Sequence, residues 1–404
     1  MLYAAYQAQS DLINPARMLA QAALTALGAK AMTGQPVDIR AAAAAYEMVT
    51  RAGLTHERPP YEIDSVRDGN REVAVSEETA LDLPFGSLLR FAKDSDAPQA
   101  KVLVVAPMSG HFSTLLRNTV LTLLRDHDVY ITDWRNARDV GLEAGPFGYD
   151  DYVDTLIAFI EALGQDTHVV AVCQPCVQVL TAAAVMAQAG NRFQPRSMTL
   201  MAGPVDTRIN PTAVNRLASD KPIAWFRRNL IATVPARYPG GGRRVYPGFV
   251  QLGAFLAMNM SRHVNAHIDL FTHLATGETE QAAVIKKFYD EYFAVLDLPE
   301  EFYLETVQWI FQEARLAAGT LSYRGQRVDC RAIRKTALLT VEGERDDICA
   351  LGQTSAAHEL CSGLKPFRKR HHMQAGVGHY GVFSGRKWDG QIYPIVRNMI
   401  LANS

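Results

Sequence analysis

The sequence has no excess of either charge, no apolar stretch long enough to cross a bilayer, and few cysteines for its length. Lys plus Arg number 41 against 42 Asp plus Glu, a net charge of -1 over 404 residues, so no overall field gathers nucleic acid or an anionic membrane. A membrane helix needs about 20 consecutive apolar residues. The longest candidate here, residues 247–260, is broken by Gly248, Gln251, Gly253 and Asn259. The five cysteines, Cys173, Cys176, Cys330, Cys349 and Cys361, are an odd number in a long chain, a pattern of free thiols in a reducing compartment. Metal and phosphate signatures are also missing. His371-His372 has no ligands at zinc spacing, Cys173-x-x-Cys176 lacks a second pair, and Gly240-Gly241-Gly242 runs into Arg243-Arg244 where a phosphate loop needs Lys-Ser/Thr. No metal and no cofactor are expected.

What is present is apolar sequence, 48% of residues, enough for a large core. Residues 1–60 are rich in Ala, Leu and Met, with breaks at Asn14-Pro15 and Gly34-Gln35-Pro36, and read as an N-terminal helical arm. Within it, Arg17, the apolar residues 18–27 and Ala29-Lys30-Ala31 imitate an export leader, but Asp11 and Gln21 speak for an amphipathic helix. Residues 61–93 alternate polar and apolar around Asp68-Gly69-Asn70, the pattern of an antiparallel hairpin.

Short apolar runs at 102–106, 129–132, 168–172 and 198–201 then alternate with helical patterns near 114–126, 150–163 and 176–189. Strands covered on both faces need no polar alternation, so this is a doubly wound, mostly parallel α/β sheet. The alternation stops across 205–327, where aromatics such as Phe271, Phe288, Trp309 and Phe311 recur in helical patterns, and resumes with strands at 337–341 and 367–373 and helices at 354–360 and 388–401. The expected organisation is a core split into 61–204 and 328–404 around an inserted helical cap.

Three residues in this frame carry chemistry. Cys173 stands where the run 168–172 gives way to a helix. In an α/β hydrolase this strand-to-helix turn exposes the nucleophile, and the following helix aims its N-terminal N–H groups and dipole at the site. The local motif is Ala171-x-Cys173-x-Pro175, without the two glycines usual at such a turn, and Cys176, one helical turn later, competes for the role or pairs with Cys173 in a redox C-x-x-C. After the apolar strand near 337–341, Gly343-x-x-Asp346 matches the position of an orienting acid, with Asp347 beside it. His379 lies in the glycine-rich stretch Gly376-Val377-Gly378-His379-Tyr380-Gly381 between the last strand and the last helix. Nucleophile, acid and base thus appear in the chain order of α/β hydrolases, with sulfur replacing oxygen. The oxyanion donors expected on this fold are the backbone N–H of Gln174 and one from Met108 or Ser109, in the loop after the first buried strand.

Several longer strings go further: Asp133-Trp134-Arg135-Asn136-Ala137-Arg138, Val172-Cys173-Gln174-Pro175, VEGERDDI at 341–348 with Gly352-Gln353, and GVGHYGVF at 376–383. Through them nearly the whole chain resembles the intracellular polyhydroxyalkanoate (polyhydroxybutyrate) depolymerases. That resemblance implies an α/β hydrolase with a Cys173, His379, Asp346 triad that hydrolyses polyester in cytoplasmic storage granules, the polymer or granule surface being its partner. Oligomeric state is left open. Polyhydroxyalkanoate synthases share the Cys, Asp, His order but usually keep the flanking glycines, and a non-catalytic granule-binding protein on the same fold is the remaining alternative.

Overall fold

The computed structural model describes residues 2–27, 36–95, 98–258 and 260–404. The leader-like Ala29-Lys30-Ala31 and the break at Gly34-Gln35 lie outside them. The chain opens with α1 (Leu2–Ala26) and α2 (Val37–Thr50), then the hairpin strands β1 (Ser65–Asp68), β2 (Arg71–Leu83) and β3 (Gly86–Lys93). The alternating core follows as β4 (Lys101–Val105), α3 (Arg117–Leu123), β5 (Asp128–Trp134), α4 (Tyr149–Leu163), β6 (Thr167–Val172), α5 (Pro175–Gln188) and β7 (Ser197–Met201).

The insert carries α6 (Ala213–Ser219), α7 (Ile223–Leu230), β8 (Ala232–Thr233), β9 (Arg244–Tyr246), α8 (Gly248–Met258), α9 (Met260–Thr276), α10 (Thr279–Tyr292), β10 (Leu298–Pro299), α11 (Glu300–Glu305) and the strand pair β11 (Ser322–Tyr323) and β12 (Gln326–Arg327). The core resumes with β13 (Ala337–Gly343), α12 (Ala357–Leu360), β14 (Lys369–Gln374) and α13 (Tyr393–Leu401).

Among the described residues, nine strands form the central sheet in the order β1-β2-β3-β5-β4-β6-β7-β13-β14. Pairing is antiparallel from β1 to β5 and parallel from β5 onward. This is the α/β hydrolase arrangement. β6 and β7 are buried at every position, as strands covered on both faces must be, and the edge strand β14 carries Lys369, Arg370 and two histidines on its mostly exposed surface, a composition that discourages edge-to-edge pairing. The turns that follow β6, β13 and β14 all lie at the carboxyl end of the parallel strands, where ligands bind in open α/β sheets.

Two features depart from what the sequence suggests. The helix α1 runs through Pro15 rather than breaking at Asn14-Pro15. Proline removes one backbone hydrogen bond and crowds the preceding turn, but Pro15 is exposed, and Tyr3, Ala20 and Leu24 anchor the helix on either side of it. The insert, moreover, is not purely helical: β8, β9 and β10 form a small sheet of their own. Its second half rejoins the main core, with Phe302 stacked on Tyr152 at 5.0 Å and Ile310, Leu316 and Leu321 in the same apolar cluster.

Burial sets the pH behaviour of the fold. His56, His111, His127 and His168 are all buried, and burial lowers the first to about 3, an effect Arg138 reinforces, and the other three to about 4. These rings are neutral in the fold and titrate near the ordinary histidine value once the chain unfolds. Their contribution is therefore complete above about pH 6.5 and is lost as pH falls toward 4. Asp297, raised to about 6 by burial, works in the opposite sense between about pH 6 and 4. The more weakly raised Asp133, Asp139, Asp150 and Glu305 and the raised His379 also work in that opposite sense. Each extra proton bound by the unfolded chain costs about 1.4 kcal/mol of stability per pH unit. The melting temperature should thus fall steadily when measured from pH 7 down to pH 5, and a flat profile would contradict neutral, buried histidines.

Candidate active site

The nucleophile candidate is held in a conformation that side chains rarely adopt. Cys173 has φ 67°, in the left-handed region that costs a non-glycine residue of order 1–3 kcal/mol. Its backbone N–H donates to the Met201 carbonyl at 2.8 Å, and its own carbonyl accepts from Cys176 N–H at 3.1 Å, so the turn is fixed from both sides. Gln174 stands at the N-cap position of α5 without a side-chain capping bond, and Pro175 occupies the first turn, where the missing proline N–H costs nothing. The side chain of Cys173 remains partly exposed, whereas Cys176 is fully buried. The Cys176 thiol faces the Ala171 and Met201 carbonyls at 3.5 and 3.6 Å, and burial pushes it far up from the ordinary thiol range.

How the turn closes without the usual glycines is answered by another strand. Gly203, two residues past β7, lies so close beneath that a Cβ there would stand 2.2 Å from Cys176 Cβ and 3.0 Å from the Cys173 carbonyl oxygen. The close approach that flanking glycines normally permit is supplied from next door, and no motif around the cysteine could have revealed it.

Asp346 and His379 converge on this point. The imidazole Nδ1 of His379 lies 2.8 Å from Asp346 Oδ2, with the carboxylate fully buried. Asp346 Oδ1 accepts the backbone N–H groups of Ile348 at 2.9 Å and Cys349 at 2.8 Å. Burial opposes charge on the ring, but the Cys173 sulfur first and then Asp346 outweigh it, so His379 holds its proton well above the ordinary histidine range. Asp347, the other acid of the turn, makes none of these contacts.

Aromatic rings hold the imidazole in place. Tyr380 and Phe383 meet it edge-on at 6.0 and 5.8 Å. Tyr380 is raised by burial and by the neighbouring Tyr292 and Cys173. Tyr292 in turn packs on His111 and His263 at 5.1 and 5.2 Å. Tyr380, Phe383 and Tyr292 were not singled out in the sequence, although two of them share the histidine's own loop.

The loop after β4 is likewise tied to the cap. His111 Nε2 lies 3.2 Å from the Tyr292 carbonyl, and Leu296 N–H donates to the Gly110 carbonyl at 2.9 Å. Within this loop Met108 is buried and Ser109 half-buried, while Gln174 is buried at the head of α5. Among the described residues, no group of three or more His, Cys, Asp and Glu side chains could hold a metal ion, and no helix is long and apolar enough to cross a membrane.

The model of the family described as PHB de-polymerase C-terminus matches residues 202–404. No curated protein sequence matches the chain. Among solved structures, the chain is similar to naproxen esterase (carboxylesterase NP) from Bacillus subtilis, at 13% identity and TM-score 0.42, covering 91% of this chain and 99% of that one. It is similar to the monoacylglycerol lipase of Paleococcus ferrophilus at 12% identity and TM-score 0.42, over 75% and 95% of the two chains. Bromoperoxidase from Bacillus anthracis gives 11% identity and TM-score 0.48, over 81% and 100%.

Proposed function

Because the chain belongs to the PHB de-polymerase C-terminus family and is an ester-bond hydrolase, we propose that it depolymerises poly-3-hydroxybutyrate through a covalent acyl-enzyme on Cys173. The observation that supports this reading most is the junction itself: a partly exposed cysteine in a left-handed turn at the head of α5, near enough to the His379 imidazole to favour its charged form, with that ring oriented by a buried carboxylate.

In the proposed cycle the Cys173 thiolate, with its proton on His379, attacks an ester carbonyl of the polymer. In this reading the oxyanion that forms is met by the backbone N–H of Gln174 and one from Met108 or Ser109. As the tetrahedral intermediate collapses, His379 gives its proton to the departing alkoxide, leaving a thioester on sulfur. Water, deprotonated by the now neutral ring, attacks that thioester, releases the hydroxyacyl unit and restores the thiolate. Asp346 holds Nδ1–H toward itself throughout and so keeps Nε2 free for Cys173.

An apolar groove of about 550 Å³ between the cap and α2, lined by Met48, Leu256, Met260, Val264, Ile268 and Phe271 among others, has no Asp, Glu, Lys or Arg among the described residues of its lining. It does not contain Cys173. A neutral polyester chain suits such a wall, and Tyr292, which packs on His263 of the groove and stands near Tyr380, gives a route from it toward the site. We place the polymer there and the protein at the granule surface.

The experiment is incubation with amorphous poly-3-hydroxybutyrate granules, with soluble 3-hydroxybutyrate as the readout. Release supports the depolymerase reading. Polymer growth from a hydroxyacyl thioester would replace it with a synthase-like transfer, and binding without release would replace it with a granule-coating role.

A further inference from the structure

The three strands that deliver the candidate residues end in three separate turns, and one hydroxyl ties the turn after β13 to the turn after β7, which packs beneath the turn of Cys173. Thr354 is fully buried. Its Oγ1 accepts the backbone N–H of Gly203 at 2.8 Å and donates to the carbonyl of the same residue at 2.9 Å. A single side chain thus meets both the N–H and the C=O of Gly203, the C=O also accepting the Val205 N–H at 2.9 Å. Gly203 is the residue pressed beneath the nucleophile turn, against Cys176 and the Cys173 carbonyl. Ala202, just before it, is itself left-handed at φ 50° and is tied to β13 through its N–H to the Val341 carbonyl at 2.9 Å.

On its other side Thr354 belongs to the acid turn. Its hydroxyl lies 3.6 Å from Cys349 Sγ, and Cys349 N–H is one of the two donors that hold Asp346 Oδ1. Its own backbone N–H donates at 2.8 Å to Glu342, a buried carboxylate at the end of β13 that also accepts from Ser355 at 2.9 Å and Gly352 at 3.1 Å. That clamp fixes the turn on which Thr354 rides.

We infer that Thr354 is a positioning residue that sets the nucleophile turn of Cys173 against the acid turn of Asp346, acting through Gly203. The inference rests on the proposed role of Cys173. Substituting valine, of nearly the same volume, removes the hydroxyl and leaves the buried N–H of Gly203 without a partner, while its carbonyl keeps the Val205 N–H at 2.9 Å. The floor beneath Cys173 then shifts to find that N–H a new acceptor, and the sulfur moves relative to an imidazole still held by Asp346. A misplacement of about 1 Å can cost on the order of a hundredfold in rate, whereas substrate binding at the mouth and cap is untouched.

The test compares the wild type with Thr354→Val and Thr354→Ser on p-nitrophenyl butyrate, together with the pH dependence of iodoacetamide alkylation mapped to the Cys173 peptide. For Thr354→Val the expected result is a fall in kcat of about tenfold or more with KM little changed, and a lower alkylation rate at neutral pH. Thr354→Ser, which keeps the hydroxyl, should recover most of both. If the valine variant does not accumulate as folded protein, Thr354→Ala is read in the same way. A variant that melts earlier but keeps the wild-type kcat and alkylation profile would overturn the inference, leaving Thr354 a purely structural residue. Failure of the underlying reading looks different: Cys173→Ala would itself retain turnover.

Discussion

Cys173→Ala is expected to lower release of soluble 3-hydroxybutyrate by on the order of 10⁴- to 10⁶-fold, the range seen when a nucleophile is removed from a triad whose members act as a unit. Folding should survive the change, because the side chain is partly exposed and its backbone bonds to Met201 and Cys176 do not involve sulfur. Alanine also tolerates φ 67° about as poorly as cysteine does, so the turn gains no new strain. Cys176→Ala is the matched control. It removes a buried sulfur that packs over Gly203, which costs stability through a small cavity but leaves the reacting atoms in place. Activity lost in the first variant and kept in the second separates the two thiols. The opposite pattern would move the nucleophile to Cys176, whose burial and raised thiol argue against it.

The second large effect is expected from Asp346→Asn, and its size follows from a conflict of donors. Asp346 Oδ1 accepts two backbone N–H groups, from Ile348 and Cys349, so an asparagine in the same place must turn its carbonyl oxygen toward them. Its amide nitrogen then faces His379 Nδ1, where the carboxylate oxygen stood at 2.8 Å. Two donors cannot meet there. The ring must present a bare Nδ1, which puts the neutral imidazole's proton on Nε2 and points it at Cys173, the tautomer that cannot act as base. A loss in kcat of about 10³-fold is expected, somewhat below the roughly 10⁴-fold seen when a serine nucleophile suffers the same change, because a thiol gives up its proton more readily. The variant should also show the His379 ring losing its proton at lower pH, since one of the groups holding it charged is gone. A wild-type kcat in Asp346→Asn would show that this carboxylate does not orient the base.

Much of this was legible in the sequence because chain order and strand ends are local signals. The buried runs at β4, β5, β6, β7 and β13 read as strands without help from tertiary structure, and the residues just past β6, β13 and β14 could be named from that alone. What could not be read was whatever one strand does for another. Gly203 compensates for the missing glycines around Cys173 from an adjacent strand, and nothing in Ala171-x-Cys173-x-Pro175 announces it. Thr354 looks like an ordinary helix-start residue until its hydroxyl is seen across the sheet on Gly203.

The insert shows the same limit from the other side. Its aromatics share one helical texture in sequence, yet Phe302 lies in the main core against Tyr152, Trp309 packs on Tyr149 at 5.5 Å, and Phe271 and Phe288 are exposed on the cap. Spacing gives the helix but not the surface it faces. Pro15 marks a break by local rules, and only the anchoring of α1 at both ends explains why the helix continues.

The most direct measurement is peptide mapping by mass spectrometry after brief reaction with an activated 3-hydroxybutyryl ester, quenched in acid so that a thioester survives. The account predicts a hydroxybutyryl adduct on the peptide at Cys173, absent in Cys173→Ala and longer-lived in His379→Ala if any forms. An adduct found on Cys176 alone, or turnover with no acylated cysteine and full activity in Cys173→Ala, would contradict it.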